Sequence, residues 1–242
     1  MKPTVKKGLL IGRTRYKESS LIIRTLMEDG SLVSLLFKGA LRRKSGIAGR
    51  IRPFALLEFV YYHRPGKNIY TASDAEVLED FSDAVSDYTS QQRVAKFFKK
   101  AVSLLKPEQS VPEIFDIVLA LLREWKEISS LSENLLWSGF LLKIMTFAGF
   151  SPTIFRCAIC GGKINPEEKS AFSPSAGGLI CSSCRKPNDA IQFSKKMVKT
   201  AQFLLSNSFT KYFKIMPAED EFKKLNIALQ KFWEYHIGEV KS

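Results

Sequence analysis

The sequence predicts an α+β multidomain protein: an N-terminal five-stranded barrel, then a mostly helical domain with a cysteine-bearing insert. Three observations predict it. Residues 1–80 hold five short segments, several rich in β-branched or aromatic residues. From about residue 85 apolar residues recur three and four apart, the period of a helix burying one face. All four cysteines fall in one Gly-, Ser- and Pro-rich stretch between helical segments.

The five strands are KKGLLIG, SSLIIRTLM, SLVSLLF, FALLEFVYY and IYTASDAEVL. A Glu28-Asp29-Gly30 turn, a long basic loop and an Arg64-Pro65-Gly66-Lys67-Asn68 turn separate them. Closure suits five such strands, because an open sheet leaves unpaired edges. On pattern alone an OB barrel and an SH3-like barrel both fit.

DYTSQQRVAKFFKKAVSLL, VPEIFDIVLALLREWKEI and SENLLWSGFLLKIMTFAGF are the first three helices, and two more are expected near 194–207 and 219–237. Ser110 with Glu113, and Ser130 with Glu133, have capping-box spacing, and Gly149 before Ser151-Pro152 marks a stop. Phe97, Phe98, Phe115, Trp125, Trp137, Phe140 and Phe147 follow the helical period and are expected in the core. Domain boundaries are expected at 1–80 and 81–242, with the insert at 155–186.

The formal net charge of +13 is unevenly spread: residues 1–70 carry 15 Lys and Arg against 4 Asp and Glu, while the remainder carries 22 against 20. An excess gathered in one third of the chain points to a polyanionic partner for that third. Its densest part is FKGALRRKSGIAGRIRPF, which holds Lys38, Arg42, Arg43, Lys44, Arg50 and Arg52 and no acidic residue. Apolar runs such as GLLIG and DIVLALL fall short of the ~20 residues a bilayer span needs. Charges return at Arg13 before a signal-peptide core forms, so a cytoplasmic location is expected.

The insert reads RCAICGGKINPEEKSAFSPSAGGLICSSCRK, with Cys157, Cys160, Cys181 and Cys184 as two C-x2-C pairs twenty residues apart. Two residues between thiolates let a tight turn aim both sulfurs at one point, and two such turns supply the tetrahedral set preferred by Zn(II). One structural zinc per chain is expected, because four thiolates leave no position open for water. Arg156, Lys163, Arg185 and Lys186 are candidate counter-charges. Disulfides fit less well in a chain expected to stay in a reducing compartment.

Other chemistry is not specified. There is no Gly-rich phosphate loop, no G-x-G-x-x-G and no G-x-S-x-G elbow, and His63 and His236 do not supply the H-x-E of a zinc deaminase. Binding rather than catalysis is expected. A nuclease with an unrecognised carboxylate site and an RNA-binding barrel with a zinc ribbon are the alternatives.

Over most of its length the chain resembles the bacterial recombination mediators of the RecO family. The resemblance rests on GLLIGRTRYKESSLIIRTLMEDGSLVSLLFKGALRRKS, RIRPFALLEFVYY, GFSPTIFRCAICGG and FSPSAGGLICSSC; its most specific parts are K-G-A-x-R at Lys38–Arg42 and F-S-P-x-x-G-G-x-x-C at Phe172–Cys181. It implies an N-terminal OB-fold, a helical C-terminal domain and an inserted zinc finger, whose four ligands are all present here although some members lack them. It also implies DNA repair and recombination in the bacterial nucleoid: binding single- and double-stranded DNA, annealing strands, and working with RecR so that RecA replaces the single-strand-binding protein SSB.

On that reading Arg13, Arg15, Lys17, Lys38, Arg42, Arg43, Lys44, Arg50 and Arg52 are candidate phosphate contacts, and Tyr16, Phe37, Phe54, Tyr61 and Tyr62 are candidate base stackers. The acidic, apolar-ended SSB tail is expected on the helical domain, beside Arg93, Lys96, Lys99 and Lys100, which flank Phe97 and Phe98.

Overall fold

A computed structural model describes residues 2–64, 66–106, 109–215 and 219–238; Pro65 of the expected turn lies outside them. They form two compact units, residues 1–126 and 127–242.

The first unit opens with β1 (Thr4–Tyr16), β2 (Ser20–Met27) and β3 (Leu32–Phe37), then a one-turn helix α1 (Ile47–Arg50), β4 (Ala55–Tyr62) and β5 (Ile69–Asp80). The strands close in the order β1-β2-β3-β5-β4, with β1 pairing back onto β4. All pairs are antiparallel except β3 with β5, which run parallel from Ser34↔Ile69 to Phe37↔Ala72. This is the Greek-key order of an OB barrel, and it resolves the ambiguity that the strand pattern left open. Alternation does what the pattern predicts: Leu57, Phe59 and Tyr61 of β4 point inward and meet Ile23, Leu35 and Phe37 in one core.

Two helices follow in this unit, α2 (Tyr88–Val102) and α3 (Pro112–Ile128), the latter reaching the unit boundary. Asp87 caps α2 by accepting from the Ser90 N–H at 2.9 Å. α3 starts at Pro112, whose missing N–H costs nothing in the first turn, so Ser110 lies two residues upstream of the helix. Arg123 of α3 holds the Glu79 carboxylate with two donors, and this hydrogen-bonded pairing keeps the Glu79 pKa below its ordinary value.

The second unit is built around α4 (Glu133–Phe147), which is apolar on nearly all sides and therefore sits at the centre rather than on a face. Its N-cap is Ser132, not the Ser130 expected from spacing; the Ser132 hydroxyl bonds Glu219 instead of the helix amides. At the other end Phe150 N–H bonds Met145 C=O at 2.8 Å and Gly149 N–H bonds Thr146 C=O at 3.1 Å, the closure expected of Gly149. α5 (Lys195–Ser206), a 3₁₀ turn (Phe209–Lys214) and α6 (Glu219–His236) complete the helices. Ser138 of α4 and Asn226 of α6 bond each other and Asn134, which satisfies the polar groups buried between them. Of the expected aromatic core residues, Phe147 is 41% exposed and Trp137 is half-buried; the others are buried. A sheet of β6 (Ser170–Ser173), β7 (Gly178–Ile180) and β8 (Ile191–Phe193) accompanies the cysteine segment and was not legible in the sequence, because its strands are three or four residues long. Among the described residues no helix is long and apolar enough to cross a membrane.

The β2–β3 turn has a steric requirement. Gly30 has φ +77°, and a Cβ there would collide with the backbone of Val111. Gly30→Ala is therefore expected to cost about 1–3 kcal/mol, read as a lower midpoint in thermal unfolding; an unchanged midpoint would show that the Val111 segment yields freely.

Candidate nucleic-acid interface and metal centre

The β3–β4 crossover carries the K-G-A-x-R motif. Gly39 turns the chain at φ +70°, Ala40 is buried at 1% exposure, and the Leu41 N–H bonds Ser19 C=O at 2.9 Å, which ties the loop to the β1–β2 turn. The Arg42 side chain passes over Gly39, where a Cβ would sit 3.4 Å from its Cδ. Lys38, Arg42, Arg43 and Lys44 are exposed and have no ion-pair partner among the described residues. The other two cations of the stretch are paired: Arg50 with Asp74 and Arg52 with Asp80, each at 2.9 Å. Both carboxylates lie on β5, so a segment without acids acquires two through the fold.

Arg13, Arg15 and Lys17 lie exposed at the β2-facing end of β1. Arg13 donates to Ile51 C=O at 3.3 Å, and Arg13 and Arg15 line a cleft of about 240 Å³ with Leu21, Leu41 and Ala48. The Lys17 ammonium stands 5.6 Å from the Tyr16 ring centroid. The structure thus brings β1, the β1–β2 turn and the crossover together at one end of the barrel. Of the candidate stackers, Tyr16 is exposed and Phe54 and Tyr62 are half-buried, whereas Phe37 and Tyr61 belong to the barrel core and have no face free for a base.

On α2, Lys96 and Lys99 are exposed, Lys100 is half-buried, and the Arg93 guanidinium lies 5.1 Å from the Trp125 ring centroid. Phe97 and Phe98, expected to offer apolar surface beside these cations, are buried at 0% and 7% exposure.

In the second unit the four cysteine sulfurs lie within 4.8 Å of one another. Cys157 and Cys184 are 3.9 Å apart, as are Cys160 and Cys181. Tetrahedral coordination with bonds of ~2.3 Å spaces sulfurs about 3.8 Å apart, whereas a disulfide needs ~2.05 Å. The cluster is compatible with a structural metal such as zinc. Two hairpin bonds build its first knuckle: Cys157 N–H to Gly162 C=O at 2.7 Å and Gly161 N–H to Cys157 C=O at 2.9 Å. Burial resists ionisation of the Cys157 thiol, but N–H groups of Cys160, Cys181 and Ile159 outweigh it and bring its pKa to about 6. Hydrogen bonds to Cys181 and Cys160 hold the Cys184 proton instead, pushing that thiol up to about 12. The two shifts run in opposite directions because the sulfurs share hydrogen bonds within one cluster, and a metal bound there would take all four as thiolates. Of the expected counter-charges, Arg156 donates to Gly161 C=O at 3.2 Å, inside the knuckle.

The F-S-P-x-x-G-G pattern proves to be the support of this cluster. Phe172 stacks on Phe193 at 5.5 Å and meets Phe232 edge-on at 6.2 Å. The Asp189 carboxylate accepts from the Ser173 hydroxyl and the Ser175 N–H, each at 2.7 Å. Gly178 has φ +154°, and a Cβ there would collide with Thr153, whose C=O accepts from Leu179 N–H at 2.8 Å. Ala158 N–H then bonds Leu179 C=O at 2.7 Å, which sets the first knuckle against β7, one residue from Cys181.

The first unit is a closed OB barrel with a basic crossover, and the second is a helical unit carrying a four-cysteine knuckle pair. Residues 1–81 match the family described as Recombination protein O N terminal, and residues 101–242 match Recombination protein O C terminal. The chain belongs to the RecO family, and its part in DNA repair follows from that membership. It is 29% identical to the DNA repair protein RecO of Rubrobacter xylanophilus over 74% of this chain and 70% of the relative. It is 28% identical to that of Caldicellulosiruptor bescii over 89% and 85%, and 24% identical to that of Alkaliphilus metalliredigens over 97% and 94%.

Protein purified without chelator is expected to hold one tetrahedral metal ion per chain, and Cys181→Ser to lose it and loosen residues 155–186 while the barrel persists. Metal analysis with proteolysis of the insert checks both; a metal-free preparation that resists proteolysis would refute the assignment.

Proposed function

We propose that this chain is a DNA-binding recombination mediator without catalytic activity of its own. It binds and anneals single strands and, with RecR, helps RecA replace SSB on DNA. The observation that carries the reading is the set of four unpaired cations on an anchored crossover, joined at one barrel end by Arg13, Arg15 and Lys17. Phosphates arriving there meet charge that the fold has not already neutralised, and each contact releases counterions without reading sequence. Arg50 and Arg52 serve as a second rank, because a phosphate must compete with Asp74 and Asp80 for them. In this reading residues 1–80 act as the nucleic-acid-binding domain and 81–242 as the helical domain with a zinc finger at 155–186. Zn(II) is the metal that four thiolates with this spacing favour. The work is done in the bacterial cytoplasm, at the nucleoid.

Replacing Arg42, Arg43 and Lys44 together with Ala is expected to weaken DNA binding strongly, leave the fold intact, and reduce the slope of log K against log salt by roughly 0.7–0.9 per lost phosphate contact. An unchanged slope removes the loop from the interface. Incubation with labelled single strands and Mg(II) separates the nuclease reading, since a mediator leaves strand length unchanged, and competition between DNA and RNA of one sequence separates an RNA-binding module.

The SSB tail is proposed to dock on the helical domain near Arg93, Lys96, Lys99 and Lys100. With Phe97 and Phe98 buried, its apolar end needs another exposed side chain, and Tyr88 on the same helix is 73% exposed. A fluorescent tail peptide is expected to lose affinity for the full chain when Lys96 and Lys99 are reversed to Glu; wild-type affinity in that variant would move the site elsewhere.

A further inference from the structure

Among the described residues only two other than glycine take left-handed backbone, Lys17 and Phe54, each at φ +54°. Lys17 lies in the hairpin loop between Tyr16 and Ser20, where a short connection calls for a left-handed residue. Phe54 has no such reason. It leads directly into β4 at Ala55, and a bulky side chain is strained in this region. Strain of this kind lasts only where the surroundings hold it in place.

Three contacts hold it. Ile51, at 0% exposure, is plugged into the barrel core. The Phe54 C=O accepts from the Phe81 N–H at 2.9 Å. The Arg52 guanidinium reaches the Asp80 carboxylate at 2.9 Å, and Asp80 is the ladder partner of Ala55. Residues 52–54 are therefore a strap running from the core plug to the end of the β4–β5 ladder. Within the strap the ring of Pro53 fixes its own φ, and Arg52, standing before a proline, is steered toward extended backbone. Phe54 is where the strap can turn.

The three contacts are unequal. Ile51 is buried, whereas the Arg52–Asp80 pair is open to water, with 46% and 31% of the two side chains exposed. Such a pair is weak, and a phosphate offers Arg52 another anion. Asp80 is not stranded when Arg52 leaves, because it also accepts from the Ser82 N–H at 3.0 Å.

We propose that the Arg52–Asp80 pair is a latch and Phe54 a strained hinge: a nucleic-acid phosphate that draws Arg52 off Asp80 lets Phe54 relax to extended backbone, which breaks its bond to Phe81 and swings residues 52–54 away from the end of β5. The inference rests on the nucleic-acid reading above and adds a conformational response to it. The fold described above is the latched state. Relief of the strain offsets part of the cost of parting the ion pair, and the core plug at Ile51 keeps the rest of the crossover in place. Lys38, Arg42, Arg43 and Lys44 meet phosphate in either state, while Arg52 does so only in the open one, so a bound strand shifts the population toward opening.

The test follows amide hydrogen exchange in the full chain with and without oligothymidylate. In the complex the Phe81 amide is expected to exchange about tenfold faster, against the slowing that bound ligand ordinarily brings to the residues it covers. Two variants separate latch from hinge. Asp80→Asn loses the charge but keeps an oxygen for the Ser82 N–H, and is expected to speed Phe81 exchange in the free chain. Phe54→Gly removes the strain, because glycine takes this region freely, and is expected to leave the Phe81 amide as protected in the complex as in the free chain. A Phe81 amide that slows in the wild-type complex, or one that exchanges at the wild-type rate in free Asp80→Asn, would overturn the hinge and leave the phosphate interface standing. A wild-type chain that binds no oligothymidylate would overturn the nucleic-acid reading itself, and the phosphate trigger with it.

Discussion

Barrel closure through the parallel β3–β5 pair is the constraint from which the first unit follows. Antiparallel neighbours can be joined by tight turns, but parallel strands cannot, so the chain leaving Phe37 has to cross to β4 before β5 can return beside β3. That obligatory crossover is the segment that carries the cations. It is long because of topology and polar because its backbone runs over the surface, and Ala40, Leu41 and Gly39 pin it where it starts. The same pairing sets Ile69 beside Ser34 and Tyr70 beside Leu35, which closes the barrel.

The cysteine segment solves a different problem. It has little apolar area of its own, and its strands are too short to be stable alone. Phe172, Phe193 and Phe232 supply one anchor, the Asp189 carboxylate a second, and the four sulfurs a third. Asp189 shows how polar anchoring works at a site only modestly shielded. Burial raises its pKa, but bonds from Ser173 and Ser175 more than offset that and hold it below the ordinary carboxylate range. Its contribution to stability is therefore present above the unfolded-state pKa near ~3.9 and disappears as pH falls through the lower folded value.

Charge distinguishes a binding surface from a merely basic one. Six cations in one stretch look equivalent in sequence, yet Arg50 and Arg52 lie against carboxylates that enter from β5, while Lys38, Arg42, Arg43 and Lys44 do not. The pairs are exposed and individually weak, so their effect lies less in stability than in ranking which cations a phosphate reaches without competition. The buried Phe37 and Tyr61 make the same point for aromatics: alternation sends half of a strand's rings inward, and only the register says which half.

The five barrel strands, the five long helices and the convergence of four cysteines were legible without coordinates, because each is written in local spacing: a period of two, a period of 3.6, or two residues between thiols; the charge asymmetry was legible from composition. Capping was legible only in part. Gly149 ends α4 as its position predicts, but Ser132 rather than Ser130 precedes it, since a cap depends on where packing lets the first turn begin. The OB order of the barrel, the pairing of Arg50 and Arg52 with carboxylates, and the support that Asp189 and Thr153 give the knuckles came from the folded arrangement alone. Each of these joins residues far apart in the chain through a strand register or a loop path, and no local pattern records a register until closure has fixed it.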